Sequence, residues 1–195
     1  MRSTGWYGSV TPEMAITCGF QLFFITVHLP AYLLDRGLSA DLAGWTIATI
    51  GLFNILGAVL AGWLSSVMPN RLLLSGIYFA RALAMAIFIL APPSVTGTLM
   101  FGAITGLLWL STVPPTSALV TIMFGTRWLT TLFGLAFFSH QVGGFLGVWL
   151  GGLLFVRTGS YDVIWWLSIL LGVLSALINL PIKERPAPRL AAAAA

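Results

Sequence analysis

Charge is what this sequence has least of. Of its 195 residues, 7% are Asp, Glu, Lys or Arg and 58% are hydrophobic, and the mean hydropathy is +0.99. Soluble domains carry about a quarter charged residues, so a water-exposed globule is excluded and a polytopic membrane protein is implied. The nine basic residues are scattered. No cluster forms that could track a phosphate backbone, so a net charge of +4 does not point to nucleic acid. A single cysteine, Cys18, leaves no disulfide framework and no thiolate metal site within one chain. Neither histidine, His28 or His140, is spaced with carboxylates, which removes a metal centre, and no cofactor is expected. The acids Glu13, Asp35, Asp41, Asp162 and Glu184 all fall at span ends or in links, so a carboxylate proton relay is missing from this chain.

Other absences narrow the class further. The links DRGLSAD, SSVMPNR, PPSVTG, MFGTRW and VRTGSYD are too short to hold a soluble domain. The opening MRSTGWYGSVTP is mixed and polar with no A-x-A-like site behind a short apolar core, so no cleavable signal peptide is expected. No G-x-S-G nucleophile motif occurs, and Ser139 adjoins His140 on one helix, where successive side chains diverge. That argues against an intramembrane hydrolase of the rhomboid type. No link carries a filter-like or NPA-like element, which argues against a channel.

What remains is apolar helix. Six segments, at about residues 14–34, 42–64, 72–91, 98–121, 132–155 and 164–180, are each long enough to approach or cross a hydrocarbon core of about 30 Å. They predict an all-α membrane protein of six transmembrane helices joined as sequential antiparallel neighbours. Residues 1–13 and 181–195 read as cytoplasmic flanks, the latter ending in a disordered alanine-rich tail. Arg2, Arg71, Arg127, Lys183, Arg185 and Arg189 fall on the side of the termini and only Arg36 and Arg157 on the other, which places both termini in the cytoplasm.

The fifth segment, Leu132–Phe155, organises the rest. Gly143, Gly147 and Gly151 recur every four residues and present one face on which another backbone can approach closely. Gly57 and Gly62 with Ala61 offer a similar surface on the second segment, and Gly102 and Gly106 on the fourth. Polar residues in the spans are costly unless partnered and mark candidate pathways. Gln21, His28 and Tyr32 share a face of the first span, where Pro30 is expected to kink or break the helix. Asn54, Trp109, His140 and Gln141 are the other cavity candidates, with Gln141 the residue of its pair expected to face the cavity. Arg81, deep in the third span, has two readings: a candidate partner for an anion, since arginine suits carboxylates, or a structural residue that snorkels or binds bundle carbonyls. Pro114–Pro115 should make the fourth span discontinuous. Spans one and four carry late prolines and spans two and five carry small-residue faces, the pattern of a 3+3 inverted repeat.

These residues carry a family resemblance. The second-to-third link, GWLSSVMPNR at 62–71, sits where the major facilitator superfamily carries G-x-L-a-D-r-x-G-r-r. Gly62, Leu64 and Arg71 match, while Ser66 replaces the acid, Val67 a basic residue and Pro69 the second glycine. With GFQLFFITVHLPAYLLDRGLS, IYFARALA, TLFGLAFFSHQVGGFLGVWLGG and RTGSYD, the chain resembles the C-terminal half of bacterial transporters in the monocarboxylate or oxalate–formate branch. That resemblance implies a half-bundle corresponding to helices seven to twelve, embedded in the bacterial inner membrane. It implies a secondary transporter of a small organic anion that needs a second six-helix half, either an N-terminal half or a second copy of this chain. It also places Arg81 on a peripheral helix and Asn54 and Trp109 on cavity-lining ones. A membrane subunit or transporter remnant that conducts nothing is the competing reading.

Overall fold

The computed structural model describes residues 12–186, with side chains from Ala15 onward. Residues 1–11 and 187–195, with Arg2, Arg189 and the alanine-rich end, lie outside the described residues. Seven α-helices follow in order: α1 (Pro12–Asp35), α2 (Ala40–Val67), α3 (Asn70–Leu90), α4 (Val95–Leu108), α5 (Val113–Phe124), α6 (Leu129–Thr158) and α7 (Asp162–Asn179), with a 3₁₀ turn at Thr126–Trp128 before α6. No strand occurs among the described residues. α4 and α5 together form one span, so six segments are long and apolar enough to cross a membrane. Several run longer than the apolar cores alone indicate, because capping residues extend them: Ser39 accepts from the Leu42 amide at 3.3 Å and Ser94 from the Gly97 amide at 3.1 Å. Gly37, at φ 76°, turns the chain between α1 and α2.

The helices pack mainly as three pairs: α1 on α6, α2 on α4 and α3 on α7. In span numbers these are one with five, two with four and three with six. Exchanging the two halves of the chain maps the first pair onto the second and the third onto itself, as a 3+3 inverted repeat requires.

Glycines set the distance in the first two pairs. A Cβ on Gly143 or Gly147 would run into the Ile16 or Phe20 carbonyl of α1, and one on Gly19 into the His140 carbonyl of α6. In the related pair, Gly102 sits against Thr46, Gly106 against Ile50 and Gly57 against the Leu107 backbone. Gly151 meets the His28 ring. Gly62 does not join this packing and faces open space. The reason is angular: a helix turns about 100° per residue, so Gly62 lies about 140° round from Gly57 while Ala61 lies about 40° from it.

Pro30 does not break its helix, since α1 runs through it to Asp35. The proline falls in the last two turns, where few intrahelical bonds remain to be lost. Around it stands an aromatic core: Trp165 makes edge contacts with Phe24 at 4.9 Å, Phe88 at 5.7 Å and Phe101 at 6.0 Å. A polar seam joins α1, α3 and α7 at the other end, with Ser175 donating to Thr17 at 2.9 Å and Ser75 to the Ala176 carbonyl at 2.8 Å. Beyond it, the Arg71 amide donates to the Glu184 carboxylate at 2.9 Å and closes that end of the bundle.

Candidate functional site: the break in the fourth span

Between α4 and α5 the chain leaves the helix for four residues, Trp109 to Thr112, near the middle of a membrane span. Pro114 and Pro115 have no amide hydrogen, so two donors that would continue the ladder are missing, and they occupy the first positions of α5, where no donor is needed. A mid-membrane break leaves backbone groups without water, and each must find a partner or cost several kcal/mol. Three side chains supply them. Asn54 on α2 accepts from the Leu110 amide at 3.1 Å, because the Gly106 carbonyl that Leu110 would use is taken by Trp109. The Ser111 hydroxyl donates to the Leu107 carbonyl.

Arg81 on α3 satisfies the Leu108 and Trp109 carbonyls. Its Nε donates to Leu108 at 3.1 Å, and its Nη2 bridges the Leu108 and Trp109 carbonyls. Only 2% of Arg81 is exposed, so the side chain does not snorkel. Nη1 donates to the Cys18 sulfur at 3.3 Å, and the guanidinium lies 5.6 Å from the Tyr78 ring centre. No carboxylate pairs with Arg81 among the described residues. Its charge faces carbonyl dipoles at the C-terminal end of α4, a thiol and a ring: stabilised, but not neutralised.

Cys18 opens this centre to a cavity of about 110 Å³ bounded by α1, α5 and α6. Its polar lining is Cys18, Tyr78, Thr112, Thr116 and His140, and its apolar side includes Phe133 and Phe137. Thr112 Oγ1 lies 3.9 Å from the Cys18 sulfur, and Thr116 donates to the Thr112 carbonyl at 2.6 Å.

The other residues singled out in the sequence distribute differently. His140 is half-buried and lines this cavity. Gln141 is exposed and does not line it; two residues before Gly143 it points about 200° away from the glycine face. Gln21 is fully enclosed, donating to the Ser168 carbonyl at 2.9 Å, and reaches neither this cavity nor the one beside Arg36. His28 donates from Nε2 to the Val148 carbonyl at 3.0 Å and lies 5.4 Å from the Tyr161 ring, so it fastens α1 to α6. Tyr32 belongs to the aromatic core and to a cavity at the far end of the bundle. Asn54 is occupied by the break, and Trp109 packs from the break against both hydrophobic clusters. Sequence reasoning misses Cys18, Tyr78 and Thr116 as lining residues, because a lone thiol, a ring and a hydroxyl carry little signal in an apolar helix.

Six antiparallel spans, glycine-interlocked as an inverted repeat around a discontinuous helix stapled at mid-bundle, define an integral membrane protein of the transporter half-bundle type. The sequence matches the Major Facilitator Superfamily over residues 14–195, and the chain belongs to that family. Over 169 residues it is 35% identical to the "Uncharacterized MFS-type transporter YcxA" of Bacillus subtilis (strain 168), a match covering 84% of this chain and 41% of that protein. The chain therefore spans about two fifths of the length of the curated relative it matches.

Proposed function

We propose that this chain is one six-helix half of a secondary transporter for a small organic anion such as a monocarboxylate, working by alternating access against a second six-helix half. The observation that carries the anion is Arg81, a buried cation with no acid beside it among the described residues, set behind a cavity of about 110 Å³. At about 30 Å³ per water, that space suits a ligand of about four heavy atoms. A carboxylate resting against Cys18 and the Thr112 hydroxyl gains the field of the guanidinium, which low-dielectric surroundings strengthen. The requirement for a second half follows from rocking-bundle mechanics, in which the site lies between two bundles. The relative's name supports transport as the activity, and its greater length leaves room in that protein for a second bundle. In this reading the protein sits in the bacterial inner membrane with both termini cytoplasmic, as the basic residues indicate, and it is not an enzyme.

The test uses the single cysteine. Purified protein is labelled with a maleimide in the presence of acetate, lactate, pyruvate or chloride, and uptake of the labelled acids is measured in proteoliposomes. We expect carboxylates to slow labelling of Cys18 while chloride does not, and the monomeric chain to accumulate none of them. Uptake by the monomeric chain overturns the half-module; labelling that no carboxylate slows overturns the anion site.

A further inference from the structure

A second cavity, of about 150 Å³, lies at the opposite end of the bundle, where α3 hands over to α4. It exists because Pro92–Pro93 stiffens the link and because Ala84, Ala91 and Gly97 on its walls are too small to fill it. Its base is aromatic: Tyr32, Phe88 and Phe101, the last two stacked at 4.1 Å. Ile87, Met100 and Ile104, all exposed and within spanning segments, form its lip. Among the described residues one charge lines it, Arg36, whose guanidinium lies 5.0 Å from the centre of the Tyr32 ring.

Shape and charge together describe an amphiphile. The slot is apolar and continuous with exposed apolar side chains of spanning helices, while Arg36, just past the end of α1, stands at headgroup depth. At about 30 Å³ per water-sized group, the volume holds about five methylenes. A small hydrophilic anion would leave the rings unused, and an uncharged alkyl chain would leave the guanidinium unused. Arg36 is available for this. Its contact with Asp162 is long, 3.8 Å, and the two side chains are 35% and 63% exposed, the kind of pair that contributes little. A guanidinium matches phosphate oxygens with two parallel donors.

We propose that this pocket binds a phospholipid with an anionic headgroup from the leaflet opposite the chain termini, its acyl chain in the aromatic slot and its phosphate on Arg36. Asp162 competes for the same guanidinium, so removing that carboxylate strengthens the site.

Native mass spectrometry of the detergent-purified chain tests this, with phosphatidylglycerol, phosphatidylcholine and a free fatty acid added in separate arms. One phosphatidylglycerol per chain should be retained in preference to phosphatidylcholine. Arg36→Gln should lower that retention about fivefold, the worth of one basic residue at a membrane surface. Ala91→Phe should abolish it by filling the slot, and Asp162→Asn should raise it. Because Asp162→Asn is a gain, it separates the proposal from variants that merely fold poorly. Equal retention of the two phospholipids, unchanged retention in Ala91→Phe, or retention of the fatty acid without phosphatidylglycerol would each overturn it.

Discussion

Replacing Arg81 by methionine removes the staple of the fourth span while keeping a flexible side chain of comparable reach. The Leu108 and Trp109 carbonyls then lose their donors. An orphaned buried acceptor costs about 1–3 kcal/mol, so two cost about 2–6 kcal/mol. The desolvation of the guanidinium is relieved at the same time, which draws the expected loss toward the lower half of that range. For a chain of this size it lowers the midpoint of thermal unfolding by about 4–16 °C. A cycle with Pro114→Ala and Pro115→Ala makes the argument sharper. Restoring both amides lets the span run on as continuous helix, with the Thr112 and Val113 amides serving the carbonyls that Arg81 now serves. The proline changes should therefore cost stability or leave it unchanged while Arg81 is present, and recover stability once Arg81→Met has been made. The coupling should be about 1 kcal/mol or more. Thermal unfolding in one detergent, followed by circular dichroism, reads all four corners. Strict additivity refutes the account, because Arg81 would then not be acting through the break.

Three further outcomes follow from the same packing. Gly143→Leu, which drives a side chain into the Ile16 backbone, should destabilise by at least about 1–3 kcal/mol, while Gly62→Leu, facing open space, should be silent in the same melts. Asn54→Ala strands the Leu110 amide and should cost about 1–3 kcal/mol by thermal unfolding, since the alternative acceptor on Gly106 is already used. His28→Phe should cost less than about 1.5 kcal/mol in that assay, because the Val148 carbonyl lies inside α6 and keeps its helical donor.

The parts of the fold that are legible in the sequence are those that a helix repeats. Six apolar runs and the four-residue spacing of Gly143, Gly147 and Gly151 announce spans and a close helix contact, and Pro114–Pro115 announces the break. Gly62 misleads because a glycine counts as a packing residue only at the right angle, and five residues from Gly57 is the wrong one. The site is less legible, for a different reason. Arg81 and Asn54 can be recognised as needing partners, but those partners are backbone atoms exposed only when another helix breaks. The sequence allows bundle carbonyls as partners for Arg81, but side-chain spacing does not say which ones. Gln21 illustrates the opposite error: its polar face does meet another element, but that element is the α7 backbone and not a cavity.

The two halves of the repeat differ where the chemistry gathers. Spans one and four are equivalent in pairing and both carry late proline, yet only the fourth is broken. Pro30 stands within the last two turns of α1, close to the end of the span, and removes one amide. Pro114 stands about three turns from the end of its span, with Pro115 removing a second amide beside it. One lost bond near an interface can be met by water; two at mid-membrane cannot, so the fourth span needs Arg81 and Asn54. A cation thus enters the centre of a bundle whose acids stand at helix ends or in links. The third helix pairs with the sixth across the repeat's own exchange, so the same pair appears in both halves of the pattern. In the sixth span, Ser168, Gly172 and Ser175 form a seam that binds α1 and α3 without charge. The double proline breaks the fourth span, and the cavity beside Cys18 is lined from that break by Leu110 and Thr112.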